Sequence, residues 1–285
     1  MPRISTGRIV ESLPWLDSVA SVLGNALAPI LGPAGDARVK DALYGIWLGH
    51  PLHPAIVSMP IGFWTSTAVF DLCGRESEAD LTLQLGLLTA LAAAATGAAQ
   101  WQDTRDMVKP RRLGALHAAL NLGAVAVYGA SWWLRAKGSR KAGVAVAMTG
   151  LSLVNVSGWL GGDLAYVLGI GVNRTAFEAT LPNWTDVLDD AAVAEGSMVK
   201  IQPNGMPILV SRQDGTVCAI AATCSHLGGP LDEGTMDGHT VTCPWHGSTF
   251  DVRDGSVVHG PATTPQPCYR VRVKDGKIAV RSAEE

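Results

Sequence analysis

The sequence predicts a chain in two parts, an all-α bundle of four membrane-spanning helices followed by an all-β antiparallel sandwich. Of its 285 residues, 47% are apolar and only 16% charged, against about a quarter charged in an ordinary soluble domain. Part of the chain is therefore suited to lipid. Four long apolar stretches, 55–70, 81–101, 113–134 and 142–162, each approach the roughly 20 residues that a membrane-crossing helix needs. From residue 181 the text changes to short β-rich runs punctuated by Asp-Gly pairs at 214–215, 237–238, 254–255 and 275–276, a dipeptide that hairpin turns favour.

In chain order, the opening MPRISTGRIVESLPW lacks the apolar core of a signal peptide, so export by a cleaved signal is not expected. Leu16, Val19, Leu23, Leu27 and Ile30 recur at helical spacing. They predict an amphipathic helix over 13–31 that either lies on the membrane surface or packs against the bundle. The links 71–80, 102–112 and 135–141 suit tight helical hairpins. Residues 83–99 show almost no polar face, which argues against a soluble bundle. Trp47, Trp101, Trp132 and Trp133 fall at span ends, as interfacial anchors would, and the small residues of LAAAATGAA let helices approach closely. The run YRVRVKDGKIAVRS alternates apolar and polar residues on both sides of its turn, so one face packs and the other is wet. The division expected is an amino-terminal segment 1–49, the bundle 50–165, a linker 166–190 acting as a tether, and the β domain 191–285.

The net charge of −3, with no basic block, sets nucleic acid aside as a partner and leaves membrane lipid and other proteins. The five cysteines at 73, 218, 224, 243 and 268 do not form the even framework of a small secreted domain, and a reducing compartment is the simpler reading. Cys73, Cys218 and Cys268 are expected as buried free thiols, and His239 and His259, beside turns, as exposed side chains.

The decisive residues are Cys224-Ser-His226 and, after sixteen intervening residues, Cys243-Pro-Trp-His246. Two thiols and two imidazoles arrive on two loops, one of each per loop. Zinc also accepts two Cys and two His, but its fingers group like ligands at tighter spacing. The surrounding CSHLGGPL and CPWHGSTFD, with the later Gly260-Pro261, closely resemble the Rieske ferredoxin and dioxygenase-type domain family over 196–281. That resemblance implies a [2Fe–2S] cluster, with Cys224 and Cys243 on the buried iron, His226 and His246 on the outer iron, and electrons leaving through the histidine edge. High-potential members carry two further cysteines, where this sequence has Gly229 and Trp245. They also place a Ser and a Tyr beside the cluster; Ser248 keeps the first and Phe250 replaces the second. The expectation is a potential near the lower end of the roughly −150 to +300 mV Rieske range.

In the apolar half, the run His50-Pro-Leu-His53-Pro through Pro60-Ile-Gly62, with GGDLAY after the fourth span, resembles a bacterial four-span membrane-domain family that brings no reaction with it. Four spans return the chain to its starting face, so His50, His53, His117 and the β domain share one side. Short flanks place Arg38, Lys40, Arg105, Lys109, Arg111, Arg112 and Arg174 there, against Arg75, Arg135, Lys137, Arg140 and Lys141 opposite. This bias predicts a bacterial inner-membrane protein with its β domain cytoplasmic. His117 with His53 or His50 could form a bis-imidazole haem b site or a quinone (quinol) site, or serve structure alone. Asn121, Asp103 and Asp106 are candidate partners of His117.

The function expected is a membrane-anchored carrier of single electrons, a component rather than a catalyst. Its partners would be a reductase, an oxygenase, a respiratory component or a quinone. A quinol- or haem-linked membrane oxidoreductase and a membrane redox sensor are the alternatives. A Rieske oxygenase catalytic subunit is excluded by inventory, since it needs a further mononuclear iron domain.

Overall fold

The computed structural model describes residues 6–32 and 35–283; residues 1–5, part of the segment read for a signal peptide, lie outside them. The chain divides into two compact units: Pro51–Ile170 with the amino-terminal helices, and Gly171–Glu285 with Tyr44–His50.

The first unit contains α1 (Thr6–Glu11), α2 (Leu16–Leu31), α3 (Ala37–Tyr44, whose last residue groups with the second unit), α4 (Leu52–Leu72), α5 (Glu76–Gln102), α6 (Val108–Ala136) and α7 (Arg140–Gly162). The four expected apolar stretches lie inside α4 to α7, all long and apolar enough to cross a membrane. α4 packs along α5 and α6 along α7, as two hairpins. Between the hairpins sit Trp64, Leu83, Ala90, Ala124, Tyr128, Ala147 and Val154, with the Trp64 and Tyr128 rings stacked 4.2 Å apart. Leu88, Leu91, Leu122 and Val156 face outward, an apolar exterior that only a lipid or protein neighbour would cover favourably. Trp47, Trp132 and Trp133 are exposed, whereas Trp101 is half-buried, its indole N–H donating to the Arg111 carbonyl.

α2 takes the second of its two expected placements. Leu16 and Val10 pack with Leu113 of α6 and Leu160 of α7, and Asp17 pairs with Arg111 at 2.8 Å and Arg112 at 2.6 Å. The links 71–80 and 135–141 are more than solvent-facing connectors. Arg135 reaches Asp71 and Asp80, and Arg140 binds the same two carboxylates; the Asp71 side chain is fully buried and that of Arg135 only 3% exposed. Both hairpins are thus pinned at one end by a buried ion network. Cys73, expected buried, is exposed at the end of α4.

In the second unit the strands are β1 (Thr185–Asp189), β2 (Met198–Ile201), β3 (Ile208–Gln213), β4 (Thr216–Ala221), β5 (Thr235–Asp237), β6 (Thr240–Thr242), β7 (Thr249–Asp251), β8 (Val257–His259), β9 (Cys268–Lys274) and β10 (Lys277–Ser282). They form two antiparallel sheets, β1-β10-β9-β4-β3-β2 and β5-β6-β7-β8. The Asp-Gly pairs at 214–215 and 275–276 have positive φ at both residues, the two-residue turn whose twist matches paired strands. Alternation divides the larger sheet: Leu209 and Ile220 pack with Val241, Phe250 and Val252, while Ile208, Val210, Ala219, Ile278 and Val280 pack on its other face with Leu181 and Val193.

The β unit begins earlier than 191. β1 lies within the expected linker yet pairs with β10, and the buried Leu181 exchanges hydrogen bonds with Ser282. A register shift between Asp186 and Leu188 interrupts the period-two pattern by which a strand is read. The part of the expected linker from 181 to 190 is thus built into the β unit.

Candidate metal centre

The four candidate ligands stand on two loops with the same backbone frame. In the first, after β4, Cys224 N–H donates to the Gly229 carbonyl at 2.8 Å, and Gly228 N–H returns to the Cys224 carbonyl at 2.9 Å. In the second, after β6, Cys243 N–H donates to Ser248 at 2.8 Å and Gly247 N–H returns to Cys243 at 3.1 Å. The residue four past each cysteine turns with positive φ, 82° at Gly228 and 79° at Gly247, which glycine adopts without strain. The histidine sits two residues after the first cysteine and three after the second.

This frame brings like side chains together. Cys224 and Cys243 are buried, 1% and 3% exposed, with their thiols in hydrogen-bonding reach of each other. The His226 and His246 rings meet edge to face, centroids 5.2 Å apart, nearer the surface than the thiols. Backbone N–H groups point at sulfur, from His226 toward Cys224 and from Trp245 and His246 toward Cys243. The hydrogen bond from Cys224, aided by those N–H groups, holds the Cys243 thiol down at about 7; the same bond, with burial, pushes Cys224 up. Burial, followed by His246 and Arg174, holds His226 down to about 3, so its ring is the neutral imidazole that metals accept.

A third loop closes the site. Ser248 Oγ is fully buried, accepts the Ala262 N–H at 2.9 Å and lies in hydrogen-bonding reach of Cys224 Sγ, so its own proton is available to sulfur. Ser225 Oγ donates to the Thr264 carbonyl. With its amide oriented to satisfy its neighbours, Gln266 donates to the Thr223 carbonyl and accepts Ser225 N–H. A Cβ at Gly229 would lie 2.7 Å from Cys243 Sγ and 3.2 Å from the Trp245 ring; only glycine leaves room there for thiol and indole together.

Residues 183–270, containing all four candidates, match the Rieske [2Fe-2S] domain family. Ferredoxin CarAc of Metapseudomonas resinovorans is 33% identical over 98 residues, spanning 34% of this chain and 92% of the relative. The chain belongs to the Rieske [2Fe-2S] family. The cytochrome b6-f complex iron-sulfur subunit of Chlorobaculum tepidum is 33% identical over 32% of this chain and 49% of that protein. A solved ferredoxin of carbazole 1,9a-dioxygenase from Nocardioides aromaticivorans aligns over 35% of this chain and 99% of its own, with 28% identity and a TM-score of 0.34. Residues 49–174 match a second family, described as a predicted membrane protein, DUF2231. The Rieske domain implies a [2Fe–2S] cluster and makes this an electron-carrying protein. Its donor set fits that group: a buried thiol pair and a separate, shallower imidazole pair are the two halves that a binuclear centre with unlike ligands needs.

Other candidates fall elsewhere. His50 groups with the β unit and His53 with the helical one. His53 Nδ1 lies 3.0 Å from the Ala93 carbonyl and 3.3 Å from Thr96 Oγ1. His117 has both nitrogens engaged, Nδ1 with Ser157 at 2.9 Å and Nε2 with Asn121 at 3.1 Å. Of its candidate partners Asn121 meets the ring, joined by Ser157, which carried no signal in the sequence. His239 is half-buried beside Asp214 at 3.3 Å instead of exposed, while His259 is exposed. Cys218 is buried and Cys268 partly so. Thr264 and Gln266 carried no signal in the sequence, because their bonds to the first loop close across about forty residues.

Proposed function

We propose that the chain is a membrane-anchored Rieske protein that shuttles single electrons between redox partners, with Cys224 and Cys243 holding one iron and His226 and His246 the other. The observation that carries this reading is the sorting of the four side chains into a buried sulfur pair and a shallower imidazole pair. When bound, the cluster supplies reversible one-electron chemistry. The protein's part is to hold its ligands still and admit a partner at one edge. Backbone N–H groups and the Ser248 hydroxyl stabilise negative charge on sulfur, which favours the reduced state. Trp245, 56% exposed and edge-on to His246, gives that edge an aromatic surface of the sort that anchors protein contacts.

The anchor is α4 to α7, and the positive-charge bias supports a cytoplasmic Rieske side in a bacterial inner membrane. A reductase, an oxygenase or a respiratory component suits the role, since the relatives include dioxygenase ferredoxins and a cytochrome b6-f subunit. Alkaline washing of membranes from expressing cells, followed by coulometric reduction of the retained protein, tests the proposal. Retention with uptake of one electron per chain is expected. Release into the soluble fraction would contradict anchoring, and no uptake would contradict the carrier role.

A further inference from the structure

The segment just ahead of the matched Rieske residues lies across the first ligand loop. Asn173 Oδ1 accepts both the N–H and the hydroxyl of Thr175, at 2.9 and 2.8 Å, folding the chain into a hook with Thr175 buried. From this hook Arg174 N–H donates to the Ser225 carbonyl at 3.0 Å, and the Glu178 carboxylate lies within reach of the Thr223 hydroxyl. Thr223 and Ser225 flank Cys224, and Ser225 precedes His226. Ser225 is thus held on one side by Thr264 and Gln266 and on the other by Arg174.

We propose that residues 173–178 form a strap that sets the reduction potential of the centre, its backbone fixing the first ligand loop and the Arg174 guanidinium favouring the reduced state. This rests on the cluster reading above. Reduction adds one negative charge, and a fixed positive charge beside His226 lowers the free energy of the reduced form by Coulomb attraction. The Arg174 backbone is bonded to Ser225, the residue before His226, so its guanidinium is tethered within one side-chain length of a histidine ligand. The side chain is exposed, so the effect is screened as salt rises. Loop position depends on the Arg174 N–H and charge on its side chain, so substitution separates the two. Arg174 is a positioning residue and makes no contact with the metal in this role.

The test is a redox titration of full-length protein in detergent, followed by EPR, for wild type, Arg174→Gln and Arg174→Lys. At a fixed potential and low ionic strength, R174Q is expected to hold a three- to tenfold lower ratio of reduced to oxidised centre. Tenfold corresponds to about 59 mV for one electron. The line shape should be unchanged, the difference should shrink as salt is added, and R174K should restore most of the wild-type ratio. An R174Q ratio within twofold of wild type would overturn the assignment, as would an altered line shape that R174K shares. Absence of a Rieske signal from the wild type would instead refute the underlying reading.

Discussion

The chain holds two pairs of histidines, and their surroundings differ in kind. His226 and His246 stand on glycine-turned loops, ring edge against ring face, beside two buried thiols. His53 and His117 lie in helices, His53 with Nδ1 against the Ala93 carbonyl and His117 with both ring nitrogens engaged, by Ser157 and Asn121. A helix offers an imidazole the carbonyls and hydroxyls of its neighbours. A loop closed by its own backbone holds the ring out toward a shared point. Residue type therefore marks a candidate ligand, and the local backbone decides what it does.

The largest effect that can break this comparison is total. His226→Ala or His246→Ala should abolish the visible and EPR spectrum of the cluster, while His117→Ala should leave it at full occupancy; a spectrum lost in the last variant would mean that the bundle histidines take part. Next, Gly229→Ala places a methyl group against Cys243 Sγ and Trp245. Most of the bound iron and sulfide per chain should be lost, although the same substitution at an open surface glycine costs little.

In the bundle, Arg135→Met leaves the buried Asp71 with Arg140 alone. A wholly unpaired buried charge costs about 3–5 kcal/mol; with Arg140 still in place the loss should be smaller, read as a fall in Tm in detergent, and the midpoint potential should not move if the bundle only anchors. The smallest effect is Ser248→Ala. Loss of its hydroxyl toward Cys224 should lower the midpoint by a few tens of mV without loss of cluster, since hydrogen bonds to sulfur raise the potential. A rise would reverse the role given to that hydroxyl.

Much of this was legible in the sequence where the signal is local. Four apolar stretches of span length became α4 to α7, and two Asp-Gly pairs became tight hairpin turns. The ligand set was legible because each half lies within four residues. What escaped depends on contacts between distant positions. Asp71 and Arg135 read as loop charges because nothing along the chain says that they meet 64 residues apart. β1 was lost in the linker because its register shift breaks alternation. Arg174 and Glu178 looked like tether residues, and only the folded chain lays them beside Thr223 and Ser225.

The most direct test of the central claim is the iron and sulfide content of the purified full-length protein, measured with the EPR spectrum of its dithionite-reduced form. Two irons and two inorganic sulfides per chain, with a Rieske signal that His246→Ala abolishes, are expected. One zinc per chain with no EPR signal in the reduced protein would contradict the account.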